Sequence, residues 1–377
     1  MHFISLQENL KRGLNIVGHI TTKNVNLPIL NNILVKAEDG NIELVSTNLE
    51  IGISYQIRGK IEADGQFTID SKLITEYVNL LNNGEKVDVE EKNGELKVEC
   101  GNYKTKIKGE SAKEFPLIPT IPKTNYYSCK TSELKKALTG VIGAVSMSEN
   151  RVELTGVLFS FNENKLSLAA TDSYRLAEKE LNIKSSNPVE MTEEHKVIVP
   201  SKTAQELLRI LSNFNDDGLE EETEIKFYLA ENQILFTIDS VNLISRLING
   251  HYPDYKQIIP TQSKTEILVE RQELTRAVKA AALFSKTGIN DINLKFTKNK
   301  IIISAFSGAS GESQIEVEAD ISGDSNEIMF NYRYLLDGLN NISDNQVRIN
   351  ILDSNTPCVL KPEKENDYLY IIMPIRQ

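Results

Sequence analysis

The sequence repeats one pattern of segments three times, at intervals the size of a domain. A segment that begins Leu-Lys-Arg, Leu-Lys-Lys or Leu-Thr-Arg occurs at 10–12, 134–136 and 274–276, so its cations lie 124 and 140 residues apart. Further along each copy, Lys72, Lys202 and Arg333 recur at intervals of 130 and 131 residues. Solenoid repeats have periods of only about 20–50 residues. The chain is therefore predicted to be three tandem copies of one domain, at 1–122, 126–250 and 251–377.

Each copy combines two amphipathic helices with strand-like segments. In the second copy, Leu134, Leu138 and Val141 recur at helical spacing, and the stripe returns in the first helices of the other copies. Second helices are predicted at about 71–82, 201–213 and 332–342, and the remaining stretches alternate with period two. Strands joined by short turns, with only two helices per copy, favour antiparallel sheets with helices on one face. This is an α+β arrangement.

The composition predicts a soluble, cytoplasmic protein. With 40% hydrophobic residues, each copy can bury a core of its own. The three cysteines, Cys100, Cys129 and Cys358, show no CxxC spacing and are predicted to be buried and reduced, as in a reducing cytosol. No stretch reaches the roughly 18 apolar residues of a membrane span, and residues 1–8 do not resemble a signal peptide. No membrane association is expected, and the acidic segment 216–222 is predicted to be a solvated loop.

No catalytic, metal or cofactor site is predicted. The sequence contains no GxxxxGK[ST] phosphate loop, no GxSxG segment and no HExxH pair. Its four histidines occur singly, in unrelated contexts. Asp172 and Glu153 are carboxylates of the kind that acid/base catalysis requires, but a turn or a solvated position is the favoured interpretation for both.

The charge distribution gives two opposing indications about whether the protein binds nucleic acid. The net charge is −11, from 53 acidic and 42 basic residues, and such a field repels phosphate. Yet the cations of the two helices recur at equivalent positions in all three copies, which indicates a concentrated basic surface. The alternative stays open that these cations are only the solvated side of amphipathic helices, since the second helices also carry acids.

Several segments resemble those of one known family. They are Leu-Thr-Gly-Val-Leu-Phe at 154–159, Ala-Thr-Asp-Ser-Tyr-Arg-Leu-Ala at 170–177 and Tyr-Ile-Ile-Met-Pro-Ile-Arg at 370–376. Leu-Pro at 27–28 and Tyr-Pro-Asp-Tyr at 252–255 agree with them. The match runs through all three copies in order. On these segments the chain resembles the bacterial sliding-clamp family, the beta subunits of DNA polymerase III.

The resemblance implies a fold, a function and a set of partners. It implies a head-to-tail homodimer, in which six domains close a ring with sheets outside and helices lining a hole. Such a ring encircles double-stranded DNA without sequence preference and acts as a processivity factor with no chemistry of its own. The implied partners are the polymerase III catalytic subunit, an ATP-driven clamp loader and other proteins with a clamp-binding motif. The joint between subunits is expected at Leu283 and Phe284, against the strand around Ile107.

The resemblance also implies two functional surfaces. The DNA-facing residues are expected to be Arg12, Lys72, Lys136, Arg151, Lys202, Arg276 and Arg333. A peptide pocket between the second and third copies is expected at Leu154, Thr171, Ser173, Tyr174, Arg175, Leu176, Pro253, Ile258, Ile289, Asn331, Tyr334, Ile371, Ile372, Met373, Pro374, Ile375 and Arg376. An apolar groove with a few hydrogen-bond donors suits an extended peptide. Tyr174 stands where the family often has His, which affects the expected peptide preference.

Two other functions are kept as alternatives. One is a ring or scaffold of the same fold that binds only proteins, because the net cationic signal on the second helices is weak. The other is a hydrolase or transferase with Asp172 and Arg175 in an interdomain cleft, although no motif supports it. The first is distinguished by crosslinking on nicked plasmid, and the second by loss of turnover in an Asp172→Asn variant.

Overall fold

The computed structural model describes residues 1–21, 25–187, 194–214 and 223–376, which form two compact units. The first unit comprises Met1–Thr131, Lys184–Glu190 and Arg209–Leu247. The second comprises Ser132–Ile183, Met191–Leu208 and Ile248–Gln377. The acidic segment 216–222, predicted to be a solvated loop, lies outside the described residues.

Six α-helices occur in the described residues, two for each predicted copy. They are α1 Gln7–Val17, α2 Ser71–Asn79, α3 Thr131–Ile142, α4 Ser201–Asn213, α5 Arg271–Ala282 and α6 Tyr332–Asn340. Their buried stripes follow the predicted spacing, with Leu10 and Leu14 of α1 and Leu274 and Val278 of α5 in the core. Both the first and the second helices are therefore confirmed.

Side chains cap the N-termini of two second helices, α6 and α2. The Asn331 side chain accepts a hydrogen bond from the Arg333 amide at 3.0 Å, as expected of a cap. In α2 the cap is Asp70, whose carboxylate accepts from the Leu73 amide at 2.7 Å. Ser71 is the first residue of the helix. A carboxylate also suits the positive end of the helix dipole.

The strands number 27 in the described residues. They are β1 His2–Leu6, β2 Asn32–Glu38, β3 Asn41–Thr47, β4 Ile51–Ile57, β5 Gly59–Ala63, β6 Gly65–Asp70, β7 Lys86–Lys92, β8 Glu95–Cys100, β9 Tyr103–Lys108, β10 Tyr127–Lys130, β11 Gly156–Asn162, β12 Lys165–Thr171, β13 Arg175–Asn182, β14 Lys184–Ser185, β15 His195–Pro200, β16 Glu224–Leu229, β17 Gln233–Ile238, β18 Val241–Arg246, β19 Thr265–Glu270, β20 Asp291–Thr297, β21 Lys300–Ser307, β22 Gly311–Glu318, β23 Asp320–Gly323, β24 Asn326–Asn331, β25 Gln346–Ile351, β26 Cys358–Pro362 and β27 Tyr368–Ile372. The 3-10 turns of the described residues include Ala112–Glu114, Glu149–Thr155 and Tyr255–Ile258.

Each unit contains one large and one small antiparallel sheet. The first unit has a nine-stranded sheet, in the order β14-β10-β16-β17-β18-β4-β3-β2-β6, and a five-stranded sheet, β5-β1-β7-β8-β9. The second unit has a nine-stranded sheet, β15-β11-β12-β13-β27-β26-β25-β19-β23, and a four-stranded sheet, β22-β21-β20-β24. The predicted antiparallel sheets of an α+β fold are confirmed.

The two large sheets correspond strand for strand when one order is reversed. Each is joined at its centre by a pairing between predicted copies, β4 with β18 in the first unit and β13 with β27 in the second. In matching register, Gly52 faces Ile244 and Leu176 faces Ile371. Each copy therefore extends the sheet of the next one, and the threefold repeat in the sequence reappears as repeated topology.

The helices and the connections between copies cover opposite faces of the large sheets. In the first unit Gly13 of α1 lies so close to Leu44 that a Cβ atom would meet its Cδ1 at 2.8 Å. The next residue, Val45, points to the other face and packs with Phe115 of the connection. In the second unit Tyr370 lies against α6, where a Cβ atom on Gly338 would meet the ring at 2.5 Å. Small helical residues thus let the helices approach the sheets closely.

The cysteine prediction agrees with the structure: Cys100, Cys129 and Cys358 are all buried, and none of the three is in a disulfide. Burial raises the pKa of the Cys358 thiol far above its usual range, which keeps it protonated and unreactive. Within the described ranges, no helix is both long enough and apolar enough to cross a bilayer.

Candidate functional site

The predicted pocket residues all belong to the second unit, and a tight hairpin turn between β12 and β13 is at their centre. The Asp172 carboxylate accepts from the amides of Tyr174 at 2.9 Å and Arg175 at 3.0 Å. The Thr171 hydroxyl accepts from the Ser173 amide at 3.1 Å and donates to the Arg175 carbonyl at 2.7 Å. Ser173 has a φ of 77°, in the left-handed region. This turn leaves Tyr174 63% exposed at its tip.

The same turn recurs in the first copy, at Thr47 and Asn48. The Thr47 hydroxyl donates to the Ile51 carbonyl at 2.9 Å, and the Asn48 side chain accepts from the Ile51 amide at 2.8 Å. Leu49 has a φ of 76°. The Thr-Asx pair is therefore explained by turn geometry, because the short side chains replace backbone hydrogen-bond partners.

Arg175 is held in place by groups on three sides. Its Nε donates to Asp172 at 3.0 Å, its Nη1 donates to Asp337 of α6, and its Cζ lies 4.7 Å from the ring centroid of Tyr334. Burial acts to lower the pKa of Arg175, but Tyr370 and the two carboxylates raise it, and the net direction is upward. The guanidinium therefore stays charged, and Asp172 is engaged in the turn and the ion pair. This geometry gives the hydrolase alternative no free acid/base group at these residues.

The C-terminal segment lies beside this turn. β27 pairs with β13, with Ile371 opposite Leu176 and Ile372 opposite Arg175. Beyond the strand, the Met373 amide donates to the Tyr174 carbonyl at 2.8 Å, and the Ile375 amide donates to the Met329 carbonyl at 2.8 Å. These bonds fix Met373, Pro374 and Ile375 as a half-buried strip that ends in exposed Arg376.

Tyr255 anchors the segment that contains Pro253 and Ile258. Its ring is buried in the cluster on the face of the sheet away from the helices, and its hydroxyl donates to the Glu178 carboxylate on β13. Burial and then Glu178 raise the pKa of Tyr255 well above its usual range. Neither Tyr255 nor Glu178 was predicted as a site residue. The Tyr-Pro-Asp-Tyr segment contained the signal for the tyrosine, but nothing in the sequence paired it with a carboxylate 77 positions earlier.

The predicted pocket residues divide into a buried base and an accessible surface. The buried members are Leu154, Thr171, Leu176, Ile371 and Ile372, which serve the core. The accessible apolar members are Tyr174, Ile258 and Ile289, with Met373, Pro374 and Ile375 half-buried beside them. Asn331 caps α6, and Tyr334 is stacked on Arg175, so both also have structural roles. An exposed apolar strip next to ordered polar groups is suited to bind an extended peptide.

All seven predicted DNA-facing cations are exposed. Six lie on helices, while Arg151 lies in the 3-10 turn and donates to Glu153 at 3.0 Å. Lys72 is within 3.8 Å of Glu76, and the Arg12 guanidinium lies 5.0 Å from the ring centroid of Phe214. Exposed cations of this kind can meet phosphates through water, and surface ion pairs compete with that contact only weakly.

Arg209 of α4 has a different role from these cations. Its Nη2 donates to the Ile16 carbonyl at 2.7 Å and its Nη1 to the Asn15 carbonyl at 3.2 Å. Both carbonyls lie in the last turn of α1, where a cation satisfies free acceptors and the negative end of the helix dipole. Arg209 and these two carbonyls are more than 190 residues apart in sequence, so the contact could not be predicted from local patterns.

The predicted joint residues lie near two free sheet edges. Ile107 is only 6% exposed and belongs to β9, the edge of the five-stranded sheet. Leu283 is 75% exposed and Phe284 is half-buried, directly after α5, which packs on the four-stranded sheet whose edge is β22. On β9 Lys104, Lys106 and Lys108 are exposed, as is Tyr103, and on β22 the exposed residues include Glu312, Glu316 and Glu318.

Comparisons with known proteins cover the chain from end to end. Residues 1–119, 128–254 and 256–376 match the N-terminal, central and C-terminal domain profiles of the DNA polymerase III beta subunit. A beta sliding clamp from Synechococcus elongatus is 29% identical, with 100% of this chain and 99% of that one covered. A crystal structure of the DNA polymerase III subunit beta from Pseudomonas aeruginosa has a TM-score of 0.93 at 28% identity, with 100% of both chains covered. A sliding clamp of that organism bound to griselimycin has a TM-score of 0.91, at 28% identity and full coverage of both chains.

Proposed function

We propose a function from the premise that this chain belongs to the DNA polymerase III beta subunit family: it is a DNA sliding clamp, a processivity factor for a replicative polymerase. The observation that carries the proposal is the threefold repeat itself, matched in order along the whole chain. Each repeat presents exposed cations at the same places on its two helices. A protein built to bind through one site has no need of this repetition.

The physical mechanism reconciles a net charge of −11 with a role on DNA. A closed ring stays on a duplex by topology, so its inner surface needs only a weak attraction to phosphates. Contacts that are numerous, weak and water-mediated do not read bases and allow sliding. The excess acids elsewhere on the protein then discourage other contacts with DNA.

Two free sheet edges support a head-to-tail dimer. Two large sheets of nine strands are each completed by pairing between copies, while sheets of five and four strands remain with β9 and β22 unpaired. Joining β9 of one subunit to β22 of another makes a further sheet of the same size as the large ones. Because each subunit offers one edge of each kind, two such joints close a ring. We propose the repeats at 1–122, 126–250 and 251–377 as its domains.

The charges of the two edges are complementary. The three exposed lysines of β9 alternate with inward residues such as buried Ile107, and the glutamates of β22 alternate with buried Val317 in the same way. If the strands pair in the register that β18 and β4 show, Lys106 lies opposite Glu312 on one face and Tyr103 lies opposite Ile315 on the other. Opposite charges across a strand pair stabilise it, and like charges destabilise it.

Charge reversal at one edge should therefore weaken the dimer, and reversal at both edges should restore it. We expect Lys106→Glu to raise the dimer dissociation constant at least tenfold, since each ring has two joints and each gains repulsion. Lys106→Glu combined with Glu312→Lys should return toward the original value, because the register of β18 on β4 places the equivalent residues opposite each other. Sedimentation at decreasing protein concentration measures both, with Lys113→Glu as an exposed control. A double variant that is weaker than either single variant would rule out this pairing of edges.

The cationic helices are tested by primer extension with the polymerase catalytic subunit, a clamp loader and ATP. The protein should lengthen the products, and the triple variant Arg12→Glu, Lys136→Glu and Arg276→Glu should shorten them and slow loading. The dependence of loading on salt should also become less steep, because fewer counterions are released from DNA.

A matched control reverses three exposed lysines that lie outside the helices, Lys60, Lys165 and Lys298. It should leave product length unchanged. If the helix variant behaves like this control, the repeated cations are only solvated side chains, and the scaffold alternative that binds proteins alone gains support.

The surface formed by Tyr174, Ile258, Ile289 and the strip at 373–375 is proposed as the peptide pocket. Its partners would be the polymerase III catalytic subunit, the clamp loader and other proteins with a clamp-binding motif. We propose no chemistry for the protein, since Asp172 and Arg175 are committed to the turn. We propose that the protein acts on DNA in the cytoplasm.

A further inference from the structure

A cavity of about 270 Å³ lies in the first unit, between the nine-stranded sheet and the connection that crosses its outer face. Its base is apolar and comes from four adjacent strands, and its cover comes from the connection. Its apolar lining includes Val45, Gly52, Leu235 and Ile244 of the sheet and Ile118 and Ile121 of the connection. Pockets for drug-sized ligands are about 300–1,000 Å³, so this one has room for a single small group.

The internal repeat explains why the cavity exists. Gly52 and Ser54 occupy the places in the first large sheet that Leu176 and Glu178 occupy in the second. In the second unit Leu176 is buried there, and the Tyr255 ring packs above it with its hydroxyl on Glu178. In the first unit glycine and serine supply far less volume. Ile118 of the connection fills the space above Gly52, where an added Cβ atom would meet its Cδ1 at 3.0 Å. The cavity is the space that remains beside Ile118, next to Ser54 and Lys123.

The rim of the cavity carries a positive charge without an acidic partner. The Lys123 ammonium donates to the Asn242 side-chain oxygen at 3.0 Å, and that oxygen also accepts from the Thr237 hydroxyl at 3.0 Å. No carboxylate of the described residues lies within ion-pair distance of Lys123. The other rim lysine, Lys36, already faces Glu43 at 3.8 Å. The rim therefore has a net charge of about +1 next to an apolar interior, and charge-assisted hydrogen bonds favour an anion there.

We propose that this cavity is a second ligand site, which binds an apolar group that carries a carboxylate. The apolar group packs on the cavity side of the cluster formed by Ile118, Ile121 and Ile244, and the carboxylate pairs with Lys123. Such a group is found on a free branched-chain acid and at the C-terminus of a peptide that ends in leucine. All lining residues belong to the first unit, whereas the proposed peptide pocket belongs to the second. The site stands independently of the proposed clamp function.

The test uses the full chain with ¹³C-labelled isoleucine methyl groups. The probes are N-acetyl-leucine, a short peptide with a C-terminal leucine, and the neutral N-acetyl-leucinamide. We expect the signals of Ile118, Ile121 and Ile244 to shift with an acid probe, and the amide to bind at least tenfold more weakly. Signals of Ile258 and Ile289 should stay constant and show that the peptide pocket is not involved. Shifts with both acids indicate a small acid as the minimal ligand, and shifts with the peptide alone indicate a chain terminus.

Two variants identify the site. Lys123→Gln should weaken acid binding about tenfold, because it removes the charged partner, while Lys113→Gln on the same connection should change nothing. Ser54→Leu should fill the cavity and abolish the shifts. The proposal is overturned if neither acid shifts these signals, if acid and amide bind equally, or if Lys123→Gln binds as well as the control.

Discussion

Protein loaded onto a nicked circular plasmid should remain there through gel filtration at about 0.2 M salt and should leave once the plasmid is cut. Proteins held by 6–10 phosphate contacts lose about 10³–10⁵ in affinity between about 50 and 200 mM salt, so attraction alone would not retain an acidic protein. A closed ring is retained regardless of affinity, until a free end lets it slide off. We expect almost all of the protein to co-migrate with the circle and almost none with the linear form.

The same measurement has two controls. A plasmid treated with inactive restriction enzyme should keep its protein, and Lys106→Glu, whose dimer should be weaker, should be retained on the circle less than the unmodified protein. Equal retention on circular and linear DNA would mean ordinary binding, and equal loss from both would mean that no ring encloses the duplex. Either result contradicts encirclement.

Removal of two accessible side chains from the proposed pocket should give the second large effect. We expect Tyr174→Ala with Met373→Ala to weaken binding of a polymerase C-terminal peptide by about 2–5 kcal/mol, at least thirtyfold, if both are anchoring contacts. Tyr174 is exposed at the tip of its turn, and Met373 is tied to it by a backbone hydrogen bond. Truncation therefore removes contact area without disturbing the core, and calorimetry with the synthetic peptide measures the loss.

Leu176 is a less informative target, because it is fully buried and its truncation would lower the free energy of unfolding as well. Leu80→Ala is a suitable control, since Leu80 is highly exposed on a different surface. The double variant should unfold at the same temperature as the unmodified protein. Unchanged peptide affinity in a folded double variant would show that the pocket lies elsewhere.

Much of the fold could be predicted because the repeat averages out local ambiguity. A single amphipathic stretch predicts a helix weakly, but the same stretch at Leu10, Leu134 and Leu274 predicts it three times. The favoured interpretation of Asp172 as a turn residue is confirmed, and Asn48 forms the same turn in the first copy. The helices and turns that recur in the sequence are those that depend on interactions between neighbouring residues.

Contacts between distant segments were not predictable in this way. Nothing near Arg209 indicates that its guanidinium caps α1, and nothing near Tyr255 indicates Glu178 as its partner. The exposure of individual site residues also depends on packing from several strands, which is why Leu176 is buried and Tyr174 is not. The sequence therefore predicted which positions to assign to the pocket. Only the structure shows which of these residues are buried in the core and which are accessible.

The pairing of β4 with β18 and of β13 with β27 limits how such a protein can be shortened or rearranged. A truncated chain that ends with the first repeat would leave β4 with a row of unsatisfied amides and carbonyls, which invites aggregation. Swapping one repeat for a relative's would require complementary residues along a shared strand pair, in addition to a compatible helix layer. Neighbouring repeats are therefore interdependent, and a boundary between them in the sequence is a poor place to divide the protein.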